Sequence, residues 1–547
     1  MMSTHHRAAM RWPFRVLVGA FLAVASARVT AQEVDRLAAA KAVAQKAVSE
    51  IAAAEKAMPA EYAAVKAAYA AATELHVALR GGLKPLPLNS WDYTKARHLL
   101  VRAGFGGTPQ DVAKLHAMGL HQAVDTIVDF QLQPAPNFPF EVAPPQRADP
   151  YKITGAREEP EGNKLQRLRL WWLKRMVESP RPLQEKLTLF WHGHFATQYS
   201  VVQHSYTFYQ QNQLFRDHAA GNFGGLLYGI VHDPVMLRYL DNNRNVKGQP
   251  NENLAREIME LFAMGVDQGY TQADIKEAAR ALTGYTYDHF TGQFRFVTEQ
   301  HDDSPKTIFG KTGNWTGDDL VKLILEQPST ARFIAGKLFA FFASDNPSPD
   351  TVDRLAGVLR NNQYELTSLL RNLFLSEEFY SERSLRTQIK SPVQLVVGMC
   401  RDLGVRDVVD YAALEGAIRG MGQELLEPPD VKGWREGRSW INANRLFVRY
   451  NSGSDLLRSI AQTNNRRGID VVALLDGKGI TTSAEVVDFL AKTCFVRPLS
   501  EQKRKELTDF VADLPPCTQW ASQRDQVNER LRGLLVLMLS MPEYQMT

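Results

Sequence analysis

The chain has 547 residues, 44% of them hydrophobic and 23% charged. That balance supports a large folded core and excludes an extended disordered chain. The formal charge is +4, but the first 31 residues hold four arginines and no acid, so the remainder is formally neutral and gives no electrostatic case for a nucleic-acid partner.

Those first 31 residues read as a secretory signal peptide. Arg7, Arg11 and Arg15 make a basic start, "VLVGAFLAVASA" is an apolar stretch too short to span a bilayer comfortably, and "VTA" places small residues before Gln32. An uncleaved anchor helix is the alternative. Without a twin-arginine pair, export unfolded by the general route is expected, giving a periplasmic or cell-surface protein. No second run of about 18 apolar residues is present, so no transmembrane span is expected in the mature chain.

Residues 32–85 are rich in alanine, lysine and glutamate, all strong helix formers, with a break at Pro59. They predict a helical hairpin or stalk, ended by "GGLKPLPLN". From 88 to 547 the pattern predicts one large, mainly α domain with a minor short-strand element. Thr108 caps a helix begun by Pro109. Residues 133–163 are proline-rich and read as a long loop, followed by helices at 164–178 and 182–195. In "PNENLAREIMELFAMG" the apolar Leu254, Ile258, Leu261 and Phe262 recur at helical spacing up to Gly265. Thr271 and Asp274 form a capping-box signal for the next helix. "GQFRFVTE" at 292–299 is strand-like, and "EQHDDSPKTIFGK" reads as a polar loop. Further helices are expected near 317–326, 329–343, 350–360, 365–375 and 390–403. None of the three cysteines lies in a CxxC pair. Cys494 and Cys517 either pair in an oxidising compartment or, with Cys400, remain free thiols.

Chemistry concentrates in two places. "WHGHF" sets His192 and His194 two residues apart among aromatics. In an extended segment both imidazoles face one way and suit a divalent metal with a carboxylate as third ligand. On a continuous helix they diverge. Metal ligation, proton transfer or substrate binding, and structural packing all remain open here. The second place is the "NEN" helix, where Asn253, Glu257 and Glu260 share an arc beside the apolar stripe, with Arg256 pointing away. Half-buried carboxylates call for a partner or a cation. His192, His194, Glu257 and Glu260 are therefore the candidate catalytic set, and His192, His194 and Glu257 the candidate metal set. Just upstream, Asp241, Asn243, Asn245 and Glu252 have calcium-loop spacing, but Val246 stands where the turn needs glycine, so a polar capping loop is the better reading. His232 and Asp233, the His301–Asp303 loop, and the loop with Asp430, Trp434 and Trp440 are weaker candidates. No serine-hydrolase elbow, phosphate loop or zincin motif occurs in a supporting context.

Five blocks in order, "ARHLLVRAGFGGTPQDV", "LTLFWHGHFAT", "PNENLAREIMELFAMGVDQGYTQADIKEAARALTGYT", the "HDD" loop through "KTIFG", and "LLVLMLSMPEYQ", resemble the bacterial DUF1800 proteins. The resemblance implies an exported, mainly helical protein without an assigned reaction, often encoded beside DUF1501-type proteins. It implies a shared polar site that includes Asn251, Glu252, Asn253, Arg256 and His301 as binding residues. The functions expected are a hydrolase using the His/Glu/Asn cluster, with or without a metal, or an envelope binding or scaffold protein with a DUF1501-type partner. The signal-peptide reading predicts that the exported protein begins at Gln32. N-terminal sequencing of the exported protein checks this, and recovery of intact Met1 contradicts it.

Overall fold

The computed structural model describes residues 82–140, 159–289, 291–405, 410–459 and 468–547. The signal-peptide segment and all but the last few residues of the alanine-rich segment lie outside the described residues. The chain divides into two units, Met1–Pro87 and Leu88–Thr547, and the helices, the sheets and the candidate site belong to the second.

This unit is mainly α, in line with the periodicity: 23 α-helices and two small two-stranded sheets are present among the described residues. Local sequence explains many helix starts. Thr108 with Asp111, Thr271 with Asp274, Thr316 with Asp319, Ser391 with Gln394, and Thr482 with Glu485 all form reciprocal capping boxes. The expected helices form as Glu161–Glu178, Pro182–His194, Gly317–Glu326, Pro328–Phe342, Pro349–Asn361, Leu366–Phe374 and Pro392–Asp402. No described helix is long and apolar enough to cross a membrane. The cysteines are free thiols: Cys400 and Cys494 are buried, Cys517 partly so, and no bridge joins Cys494 to Cys517.

Two strand features depart from expectation. Tyr285–Tyr287 pairs antiparallel with Phe294–Phe296, so the strand-like stretch has a partner just upstream. The segment expected as a polar loop contains a hairpin, Lys306–Ile308 against Lys311–Gly313. Its two turn residues, Phe309 and Gly310, both take positive φ, 50° and 74°. That is the backbone twist a two-residue hairpin turn requires. Phe309 is an unusual residue to supply it, so the turn carries no sequence signal.

Helix Pro182–His194 is the element on which the site rests. Proline at its first turn starts it, and every residue from Leu183 to His194 except Gly193 is buried. A helix covered on all sides lies inside its domain. It is tied there by a buried ion cluster. Glu185, 0% exposed, accepts from Arg175 at 3.0 Å and from Arg216 at 2.9 and 3.0 Å. Both guanidiniums also lie 5.1 Å from the Trp171 ring. One carboxylate thus joins helices Glu161–Glu178, Pro182–His194 and Ser205–Asp217. Burial pushes the Glu185 carboxyl up, but Arg216 and then Arg175 outweigh it and hold it below its ordinary range. Removing one partner from such a cluster leaves uncompensated buried charge.

Glu185→Ala is expected to destabilise the protein by about 3–5 kcal/mol, read from chemical denaturation. Because the folded carboxyl is depressed, the stability it contributes is present above pH about 4.5 and is lost as pH falls through the lower folded value. An unchanged denaturation midpoint in the variant contradicts this role.

Candidate functional site

The helix runs unbroken through "WHGH" and ends at His194, with Phe195 as its C-cap. The two imidazoles therefore diverge, each engaging a different backbone. The Leu426 N–H donates to His192 Nε2 at 3.2 Å, which places the ring proton on Nδ1. Its ring lies 5.3 Å from Trp172 and 5.4 Å from Trp434. His194 Nε2 donates to the Phe262 carbonyl at 2.8 Å, and its Nδ1 is buried without a partner. Phe195, Trp191 and Phe190 enclose that ring at 4.5 to 5.8 Å. Burial first, then Arg169, brings His192 down to about 3; burial, then Lys337, holds His194 well below its ordinary value. Both are neutral imidazoles at physiological pH.

The carbonyl that His194 holds belongs to an irregular helix. Asn253–Glu257 is α-helical, then Ile258–Ala263 widens to a π-helix, with the Met264 and Gly265 N–H groups both returning to the Met259 carbonyl. Such widened turns recur at functional sites. Glu257 stands at the junction. It is half-buried, and its Oε2 is enclosed without a hydrogen-bond partner. Burial, then Glu260, raises its carboxyl above the ordinary range.

Around Glu257 the fold gathers residues distant in sequence. The Tyr239 phenol donates to Gln198 Oε1 at 2.9 Å, and Gln198 Nε2 donates to the Pro429 carbonyl at 3.3 Å. Glu427 accepts from the Ser200 N–H and hydroxyl at 2.9 and 2.5 Å. Burial, followed by the fields of Asp430, Glu427 and Glu257, pushes Tyr239 up to about 12, so all three carboxylates act on one phenol. Lys432 is the cation whose field reaches Glu257 from the same loop. Gly433 presses this loop onto the histidine helix. It has φ +78°, and a Cβ there would overlap the Gly193 carbonyl.

The other expected site residues are placed elsewhere or engaged differently. Arg256 does not point away from the carboxylates. It reaches Glu252 at 2.9 Å and Glu260 at 3.2 Å, because four-residue spacing on a helix brings such pairs together. Asn251 Oδ1 accepts from the Asn253 N–H at 2.9 Å, a local turn, and Asn253 is exposed. Asn242 and Asn245 donate to the carbonyls of Leu282, Tyr285 and Ala279, so the calcium-spaced loop caps the end of helix Gln272–Ala281. His301 is buried on the Thr283 carbonyl at 2.9 Å. No hydrogen bond or ion pair among the described residues joins either imidazole to Asn253, Glu257 or Glu260, and no group of three or more His, Cys, Asp or Glu able to hold a metal forms among them. The His192, His194 and Glu257 set therefore does not fit a metal: the imidazoles diverge and spend their Nε2 atoms on backbone.

A family model described as a protein of unknown function, DUF1800, matches residues 98–546. The chain belongs to the DUF1800 family. That span takes in the histidine helix, the π-helix and the 426–434 loop, so the whole site lies within the family's shared sequence. No curated protein matches, and no solved structure matches.

His192→Ala and His194→Ala each leave a buried backbone group without its partner and are expected to cost about 1–3 kcal/mol in denaturation experiments. The folded values of both histidines are depressed below about 6.5, so the stability of burying them neutral is complete above that pH. It falls as pH drops, by up to about 1.4 kcal/mol per pH unit for each group. Stability flat between pH 6.5 and 5 contradicts both assignments.

Proposed function

We propose that this protein is an exported hydrolase in which Glu257, not a histidine, is the acid–base group. The observation that carries the proposal is the Glu257 carboxyl: half-buried, with one oxygen enclosed and unpartnered, and held protonated to higher pH by burial and by Glu260. A carboxyl held in its acid form above the ordinary carboxylate range can donate a proton to a leaving group, worth typically about 10²–10⁴-fold in rate. Asp430 and Glu427 supply carboxylates whose fields reach Tyr239, and the Tyr239 phenol, donating to Gln198, leaves its oxygen as an acceptor. His192 and His194 are positioning residues that hold the loop and the π-helix in place. No step is routed through a metal. Export rests on the signal-peptide reading of residues 1–31, and with it the site belongs in the periplasm or at the cell surface.

A second reading, an envelope scaffold with a DUF1501-type partner, is favoured by one feature. Helix Ala443–Ser459 carries Phe447 at 70% and Tyr450 at 44% exposure. Large aromatic rings left in water suit a docking face.

The hydrolase reading is tested by presenting the purified exported protein with chromogenic glycosides, esters, amides and phosphate esters. The expected result is turnover of one class, reduced at least about 100-fold in Glu257→Gln with an unchanged circular dichroism spectrum. Activity should fall as pH rises through the elevated Glu257 value, since the acid form is the donor. Turnover unaffected by Glu257→Gln overturns the assignment. Co-purification with a DUF1501-type protein, abolished by Phe447→Ser, favours the scaffold instead.

A further inference from the structure

Apart from Glu257 and its neighbours, the unit has a cleft of about 300 Å³ beside the first hairpin. That volume lies at the lower end for small-ligand sites and is enough for one ring-sized ligand. Phe294 of strand Phe294–Phe296 forms one wall, Leu214 and Pro234 form apolar surface opposite, and Gln210, Asp233 and Gln293 supply polar groups.

The polar groups define what fits. The Gln210 Oε1 is buried and has no donor within the protein. Asp233 is only 4% exposed; it accepts from Gln211 Nε2 at 2.5 Å and the Met236 N–H at 3.0 Å. Burial brings its carboxyl up to about 7, so at neutral pH it is protonated for much of the time and offers an O–H as well as an acceptor. The Gln293 side chain is exposed at the rim. The one imidazole in the lining, His232, meets Asp318 at 3.1 Å through Nε2 and the Tyr228 carbonyl at 2.7 Å through Nδ1, so both ring nitrogens are already partnered. The cleft therefore presents hydrogen-bonding groups without an unmatched charge, and its unsatisfied buried atom calls for a donor.

The aromatic surface sets the shape. Phe294 packs 4.3 Å from the His232 ring, which in turn lies 4.2 Å from the Tyr228 ring. Tyr228 is 47% exposed and Phe296, two residues along the strand from Phe294, is 42% exposed. Exposed rings beside a polar cleft favour a ligand that has one apolar face and hydroxyls around its edge.

We infer that this cleft binds one sugar ring of an uncharged oligosaccharide, with a hydroxyl donating to Gln210 Oε1, further hydroxyls on Asp233 and Gln293, and the ring face against Phe294. The neighbouring Tyr228 and Phe296 rings carry the chain onward. The site is independent of Glu257, so it stands or falls separately from the hydrolase reading.

The test is calorimetric titration of the exported protein at pH 7 with cellohexaose, maltohexaose and N-acetylchitohexaose, and with hexagalacturonate as an anionic comparison. The expected result is binding of at least one uncharged hexasaccharide, weakened tenfold or more in Phe294→Ala and in Gln293→Ala, and unchanged in Glu257→Gln. Gln293 is exposed, so its variant keeps the test valid if Phe294→Ala does not fold. Absence of binding by all three uncharged hexasaccharides overturns the inference. So does affinity unaffected by the Gln293 and Phe294 substitutions, or tighter binding of hexagalacturonate.

Discussion

Two hydrogen bonds from one helix end hold the candidate site together. Helix Pro182–His194 is buried on nearly every side, and in its last turn one imidazole accepts from the Leu426 N–H and the other donates a hydrogen bond to the Phe262 carbonyl. One bond fixes the loop that carries Glu427, Asp430 and Lys432; the other fixes the π-helix after Glu257. An imidazole suits this work because its two nitrogens differ: one accepts while the other donates, and a neutral ring tolerates burial among aromatics. A lysine or carboxylate in the same position would bring a full charge into an apolar interior, where it is far costlier.

This division of labour separates the groups that hold the candidate site together from the carboxylates at its border. The histidines are enclosed, neutral and committed to backbone. The carboxylates sit at the border of the apolar stripe, where burial and then Glu260 raise Glu257, while Arg256 pairs with Glu252 and Glu260. The Glu185 cluster provides the outer support, anchoring the first turn of the same helix. Stability and site geometry thus depend on one element.

Much of the fold is legible in the sequence because its signals are local. Capping boxes at Thr108 and Thr271, prolines at first turns and apolar spacing in "LAREIMELF" need only a few neighbouring residues to be read. The aromatic and apolar spacing ahead of Gly193 points to a helix that ends at or near that glycine, and the helix closes one residue later, at His194. The site is less legible because its contacts are long-range. Nothing near His192 announces Leu426, and nothing near His194 announces Phe262. The π-helix has no composition of its own, and Gln198 and Tyr239 carry no motif. Arg256 departs from expectation for a different reason: its four-residue spacing from Glu252 and Glu260 outweighs the angle at which its backbone position faces, since a long guanidinium side chain can swing back to either carboxylate. The Phe309–Gly310 turn is hidden because phenylalanine rarely takes positive φ.

The site's geometry rests on the "HGH" imidazoles being neutral structural pins. Histidine-selective ¹⁵N labelling, with ring nitrogen shifts followed from pH 8 to pH 5, tests this most directly, with His192→Gln and His194→Gln spectra assigning the signals. Both rings are expected to stay neutral throughout, His192 with its proton on Nδ1 and His194 with its proton on Nε2. Titration of either ring near pH 6.5, or a shift on adding a divalent metal, would contradict it.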